Sequence, residues 1–219
     1  MTDRPILFSG PMIRAILAGT KTQTRRTLKY QPAPGISIVR KTIRPLDGVP
    51  YHSFERRSMY GSYAGELDIR IKRGDRLWVR ESWKPHSTFD HLPPREMPES
   101  NVFYLADEQY SPSGSRGRPG IHMPRWASRL TLTVTDVRVE RLQDISETDA
   151  IAEGCKQYSS STKLSRPFNA DWKGIYREGY AELWNEINGA GAWESNPWIV
   201  AYTFTVHRQN IDVMSREAA

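Results

Sequence analysis

The chain has 219 residues, enough to bury a substantial core, and 31 Lys and Arg against 25 Asp and Glu leave it a net charge of +6. Its single cysteine, Cys155, excludes an intrachain disulfide and a thiolate metal cage, and no run approaches the roughly 18 apolar residues of a membrane span. The start lacks the apolar stretch of a signal peptide, so the chain reads as a soluble cytoplasmic protein with no membrane partner, whose basic surplus suits an anionic partner such as a nucleotide or nucleic acid.

In chain order, Ile6, Leu7 and Phe8 form a short apolar strand closed by Ser9-Gly10. Pro11 suits a first helical turn, Met12, Ile13, Ile16 and Leu17 share a helical face over 11–18, and Gly19 is a natural stop. Gly19-Thr20-Lys21-Thr22-Gln23-Thr24-Arg25-Arg26 follows as a turn leading into a short strand. Residues 30–62 read as irregular because Pro and Gly punctuate them, with Ile36 to Ile38 and residues 67–71 as short strands or hairpin arms. Residues 77–83 alternate well enough for one strand with a buried face. Residues 84–126 form a second long insertion with one strand-like piece at 102–105. The clearest strand runs over 129–139, where Leu130, Leu132 and Val134 oppose Thr131, Thr133 and Thr135. Ser146 caps a short helix over 147–153, with Asp149 three residues on and Gly154 as its stop. A third polar loop covers 155–172, and Tyr176, Tyr180, Leu183, Trp184 and Ile187 mark a helix over 174–188. A closing strand occupies 198–206, and the tail beyond His207 reads as frayed. Short strands with few helices predict an α+β fold, a small mixed β-barrel or strongly bent sheet, as one domain over 1–210 with insertions near 30–66, 84–126 and 155–172 and a C-terminal tail at 211–219.

The residue types restrict the chemistry. Five scattered histidines with no HExxH, no paired CxxC and no Asp-rich loop give no metal site, and no P-loop, Rossmann fingerprint or GxSxG elbow is present. Cys155, at a helix end, reads as a packed residue. The stretch from Gly19 to Arg26 differs, because an amine three residues from a hydroxyl, beside two guanidinium groups, can activate a nucleophile and hold a polar substrate. Thr and Lys are also common at helix exits, and read alone the stretch fits that plain description at least as well.

Taken in order, Gly19-x-Lys21-x-x-x-x-Arg26, then Gly74-Asp75-x-Leu77-x-Val79, then a strand entering Leu142-Gln143-Asp144-Ile145 and a helix resemble the ASCH domain family. With Arg4 to Phe8 at the front and Ile121-His122-Met123-Pro124-Arg125-Trp126-Ala127-Ser128 in the middle, the chain resembles the larger members found in phages and prophages. The likeness covers roughly 6–28, 72–83, 127–154 and 198–206. It implies a PUA-like fold, a small mixed β-barrel with flanking helices and a cleft for RNA or nucleosides. Small bacterial members are amidohydrolases that release the acyl group of N(4)-acetylcytidine, using a lysine and a threonine of a GxKTxTxR motif and a glutamate in the helix after the long strand. The likeness places these roles on Lys21, Thr24 and, by a gapless run from Leu142, on Glu153. No cofactor and no metal are implied. Arg26 is expected either to contact substrate or to pin the turn to a carboxylate such as Asp75 or Glu81. Trp83 and Trp126 are expected to border the cleft as substrate contacts, and the insertions to cover it. The alternative reading is a non-catalytic RNA-binding module, or a ribonuclease, of the same fold.

Overall fold

The computed structural model of the protein describes residues 2–46, 48, 50–107, 114–157 and 175–217. In chain order the elements are strand β1 (Asp3–Leu7), helix α1 (Gly10–Leu17), strands β2 (Gln23–Thr27), β3 (Ser37–Ile43), β4 (Tyr51–Arg57), β5 (Tyr63–Leu67), β6 (Arg76–Arg80), β7 (Trp83–Lys84), β8 (Phe103–Tyr104) and β9 (Thr131–Arg141), helices α2 (Glu147–Ala152) and α3 (Ile175–Asn188), strand β10 (Trp198–His207) and helix α4 (Ile211–Glu217). The fold is mixed α+β, dominated by strands. By its internal contacts the chain separates into two units, Met1–Gly19 with Gly74–Thr135 and Phe204–Ala219, and Thr20–Arg73 with Asp136–Thr203, so that β9 and β10 each contribute to both.

In the first unit β1 lies parallel to β6, from Asp3 opposite Arg76 to Leu7 opposite Arg80, and β6 runs antiparallel to β9 with Leu77 opposite Leu132. Alternation along β6 buries Leu77 and Val79, and Ile13 and Ile16 of α1 are buried as their helical spacing requires. The strand expected over 77–83 ends at Arg80. Glu81 is 1% exposed, and its two carboxylate oxygens accept from Arg129 Nε and Nη2 at 2.9 Å each. A buried carboxylate must meet such a fork, which diverts the chain from the ladder. Trp83 then begins β7, pairing with Tyr104 of β8, and sits in a core with Met97, Met123 and Ala127. Of the segment expected as an irregular insertion at 84–126, the described residues Phe89, Leu92, Met97, Val102, Tyr104 and Met123 thus pack into this core.

Beyond His207 the expected frayed tail instead holds helix α4, Ile211–Glu217. Ile211 is fully buried, and the Asn210 amide donates to the carbonyls of Arg125, Trp126 and Ser128 at 2.9, 3.1 and 2.8 Å. Asp212 holds Arg125 at 2.7 Å. These partners lie more than 80 residues away in sequence, so no local pattern announces them.

In the second unit β10 is antiparallel to β2, with Tyr202 opposite Thr24 and Val200 opposite Arg26, and β10 has β9 as its other neighbour. Its core gathers Leu142, Ile145, Ala150, Tyr180, Trp184 and Ile199. Helix α2 begins as expected, with Ser146 Oγ accepting from the Asp149 N–H at 3.1 Å. The Glu147 carboxylate accepts from the N–H groups of Tyr176 and Arg177, both at 2.9 Å, satisfying open donors in the first turn of α3.

The region expected to be irregular before residue 66 contains a three-stranded antiparallel sheet in the order β3-β4-β5. Ser37 to Ile43 pair with Arg57 to Tyr51 without interruption, and β4 pairs with β5 through Phe54 opposite Leu67 and, past a register shift, Arg57 opposite Tyr63. Few residues of this sheet, among them Ile38, Phe54 and Glu55, are buried, so the sequence carries no period-two apolar signal. Of the loop expected at 155–172, residues 158–172 lie outside the described residues.

Candidate active site

The site grows from two chain reversals. Helix α1 stops where Gly19 takes a left-handed conformation at φ 75°, which its missing Cβ permits, and its N–H donates to the Ile16 carbonyl at 3.0 Å. Helix α2 stops the same way, with Glu153 at the C-cap and Gly154 at φ 72°. Lys21 forms an isolated bridge with Glu153, and the Thr22 N–H donates to the Ala152 carbonyl at 2.8 Å. The turn carrying Lys21 is thereby joined to the C-terminus of α2.

That junction fixes the lysine. Its Nζ lies 2.7 Å from Glu153 Oε2 and donates to the Glu153 carbonyl oxygen at 2.9 Å. An ammonium against the open carbonyl of a helix end is electrostatically favourable. Lys21 is 1% exposed and Glu153 7%. Burial pushes the Lys21 amine below its ordinary value of 10.5, Glu153 opposes this by its field and its hydrogen bond, and Arg26 and Arg25 add to the lowering.

Arg25 is the hub of a wider network. Its guanidinium reaches Glu153 at 3.1 Å, Glu140 of β9 at 2.9 Å and Asp149 of α2 at 3.2 Å. Gln23 donates to Asp149 at 3.0 Å, and Arg138 holds the same carboxylate oxygen at 2.9 Å. Burial alone would raise the Asp149 carboxyl, but the hydrogen bonds from Arg138 and Gln23 and the fields of Arg138 and Arg25 bring it down to about 2.

Alternation along β2 separates its residues. Gln23 and Arg25 face α2, whereas Thr24 and Arg26 take the other side, beside Tyr202 and Val200 of β10. Thr24 is 1% exposed, while Arg26 is partly exposed. Burial lowers the Arg26 guanidinium from its ordinary value, and Glu153 is the carboxylate whose field supports its charge. Burial pushes the Tyr202 phenol up to about 12, with Arg26 opposing, and burial together with Glu153 pushes Tyr180 well above its ordinary value, so both hydroxyls stay protonated near neutrality.

The structure therefore brings Lys21 and Glu153 into direct contact and puts Thr24 on the adjoining strand. Asp75 and Glu81, the suggested anchors for Arg26, serve other groups: Asp75 accepts from the Thr2 N–H at 2.8 Å, and Glu81 takes the Arg129 fork. Trp83 is fully buried, so it offers no ring face to a substrate. Trp126 packs against the same core, edge-on to Trp83 with centroids 6.3 Å apart. Sequence reasoning gave no part to Glu140 or Arg138, and it gave Asp149 only a capping role at the start of α2. The signal for them was a run of like-spaced charges on β9 and on the first turn of α2, which also suits a solvated face.

Among the described residues, no cluster of three or more His, Cys, Asp or Glu side chains is arranged to hold a metal ion, and no helix is long and apolar enough to cross a membrane. A cavity of about 600 Å³ in the same unit is lined by Ile43, Tyr51, Phe54, Ile69 and Val137 with Lys72 and Arg73, not by Lys21, Thr24 or Glu153. Chemically, the site offers a shielded amine of lowered basicity and a carboxylate in contact with it, with the Thr24 hydroxyl carried by the adjoining strand. No protein-family model, curated protein or solved structure matches the chain.

Proposed function

We propose that the protein is a metal-independent amidohydrolase of the ASCH type, with a PUA-like mixed β-barrel, that removes the acyl group from the exocyclic amine of N(4)-acylcytidine-type nucleosides. The observation carrying this reading is the buried contact of Lys21 Nζ with Glu153 Oε2 at 2.7 Å, at the foot of the strand bearing Thr24. Burial holds the Lys21 amine below its ordinary 10.5 against the pull of Glu153, so at a given pH more of it is neutral, the form a general base requires, than for a surface lysine.

In this reading Thr24 Oγ1 attacks the acyl carbonyl and Lys21 takes its proton. The resulting ammonium, held by Glu153, stabilises the oxyanion of the tetrahedral intermediate. Its collapse expels the N(4) nitrogen, which gains the proton from the Lys21–Glu153 pair and leaves as cytidine. The acyl group stays on Thr24 as an ester. Water then cleaves that ester, releasing the carboxylic acid and restoring the hydroxyl. In this reading the substrate arrives on the side of Arg26, which is partly exposed on the Thr24 face of β2.

The experiment is incubation of the protein with N(4)-acetylcytidine in the presence of a chelator, following cytidine and acetate by chromatography. Stoichiometric release of both supports the proposal. No release by protein of verified fold overturns it.

A further inference from the structure

The net charge of the chain is unevenly placed. Residues 29–73 hold nine Lys or Arg against four Asp or Glu, five of the six surplus charges in the whole sequence. The exposed aromatic side chains concentrate in the same segment. Among the described residues they are Tyr30, Tyr51, Tyr60 and Tyr63, between 52% and 86% exposed. Aromatic rings left in water over a basic sheet are poor material for a core and good material for stacking against bases.

The register of β3-β4-β5 shows how these groups are arranged. Residues directly opposite one another share a face. Ile43 opposite Tyr51, Lys41 opposite Ser53, Val39 opposite Glu55 and Arg57 opposite Tyr63 therefore put Tyr51, Lys41, Arg57 and Tyr63 on one face. Glu55 on that face is 7% exposed and is held by Arg57, whose guanidinium also donates to the Gly61 carbonyl at 3.0 Å. Glu66 is the exposed acid on this side. Tyr51 and Tyr63 stand at opposite ends of the sheet, about 20 Å apart along β4.

We propose that this face of the β3-β4-β5 sheet binds single-stranded nucleic acid, with Tyr51 and Tyr63 stacking on bases and Lys41 and Arg57 meeting phosphates. The separation of the two rings leaves room for several nucleotides between them. Ring faces accept any base, so the surface discriminates weakly by sequence. The inference is independent of the amidohydrolase reading, because it uses none of Lys21, Thr24 or Glu153.

The test is fluorescence anisotropy of the full chain with labelled oligouridine of about 12 nucleotides, its deoxythymidine counterpart and an RNA duplex of the same length. The single strands bind, and their affinity falls steeply between about 50 and about 200 mM salt. Tyr51→Ala and Tyr63→Ala each weaken binding about ten-fold, since one lost stack is worth on the order of 1–3 kcal/mol. Tyr51→Phe keeps the ring and the affinity, and Glu66→Lys strengthens binding. The two single strands separate RNA from DNA preference, and either preference supports the proposal. It is overturned if neither single strand binds, if the duplex binds more tightly than both, or if the alanine variants, folded by circular dichroism, bind as the wild type does. The probes carry no acyl group, so the outcome does not depend on whether the protein hydrolyses N(4)-acylcytidine.

Discussion

Lys21 and Glu153 lie 132 residues apart in sequence, yet their side chains meet at 2.7 Å and both are withdrawn from water. Arg25 approaches the other oxygen of the same carboxylate at 3.1 Å. Glu153 therefore keeps one cation if the other is removed. Lys21→Met is expected to cost about 1–3 kcal/mol of stability, the range for losing one partner of a charged hydrogen bond. Arg25→Met deprives Glu153, Glu140 and Asp149 together and is expected to cost about 3–5 kcal/mol. Urea unfolding of the two variants measures the order. A larger loss for Lys21→Met would displace Arg25 as the hub.

The proposed roles predict a different order for activity. Lys21→Met should lower kcat on N(4)-acetylcytidine by about 100- to 10,000-fold, the range for a general base. Thr24→Val, nearly isosteric, should abolish the acyl-enzyme, whereas Thr24→Ser retains part of the rate because it keeps the hydroxyl. Mass spectrometry after rapid acid quench should find the acetyl ester on wild-type protein and not on Thr24→Val. Full activity in Thr24→Val rules out the assigned nucleophile.

Burial lowers the Lys21 amine, against the opposing pull of Glu153, so the folded pKa lies below 10.5. As a base Lys21 acts when neutral, and kcat/KM should rise with pH and level off before 10.5. The linkage to stability has the same sign. Between the folded pKa and 10.5 the unfolded chain binds more protons, so the contribution of Lys21 to stability increases with pH across that window. Lys21→Met should remove both slopes, read from a pH–rate profile and from unfolding free energies at matched pH.

Much of this arrangement was legible in sequence. Ser146 and Gly154 delimit α2 in the expected way, and the family resemblance, not the residues read alone, pointed to Lys21 and Glu153, which the structure brings together. Of the sheet β3-β4-β5 only short pieces at 36–38 and 67–71 were expected, and β4 was hidden, because its few buried positions leave no alternation. Trp83 was misplaced as a substrate contact because its sequence neighbours do not reveal the core formed by Met97 and Met123. The partners of Arg25 were hidden for a related reason: Glu140 and Asp149 converge on it from separate elements, and composition does not encode that convergence.

Acid should expose the Asp149 link. Its carboxyl lies at about 2 in the fold, below its ordinary 3.8, despite a burial effect that acts the other way. The stability it provides is complete above 3.8 and is lost as pH falls through about 2. Asp149→Asn should flatten that part of the acid-unfolding curve. An unchanged curve would show that Arg138 and Gln23 do not hold the carboxylate in solution.

Cys155 should be inert in the native protein. Burial, with Glu153 adding to it, pushes its thiol up to about 11, and the S–H donates to the Ala150 carbonyl at 2.8 Å. Only the thiolate reacts, and it is scarce at pH 8. A disulfide reagent should label Cys155 at a rate that follows unfolding and accelerates sharply in denaturant. Rapid labelling of folded protein would place the thiol in a different environment.

Two glycines separate conformational cost from steric cost. At Gly19 an added Cβ meets nothing within 4 Å, but φ is 75°, so Gly19→Ala carries only the left-handed backbone penalty of about 1–2 kcal/mol. At Gly120 the backbone is unexceptional, but the Cβ would come within 2.9 Å of the Glu81 carbonyl carbon and 2.8 Å of Leu7 Cδ1. Leu7 can rotate away, whereas the Glu81 backbone is held by its buried pair with Arg129. Gly120→Ala should therefore cost about 1–3 kcal/mol through displacement of that segment. It should also weaken the Glu81–Arg129 pair, so a double-mutant cycle of Gly120→Ala with Arg129→Met should be non-additive, while Gly19→Ala with Arg129→Met adds. Additive behaviour in both cycles would mean that Gly120 tolerates the methyl group without moving Glu81.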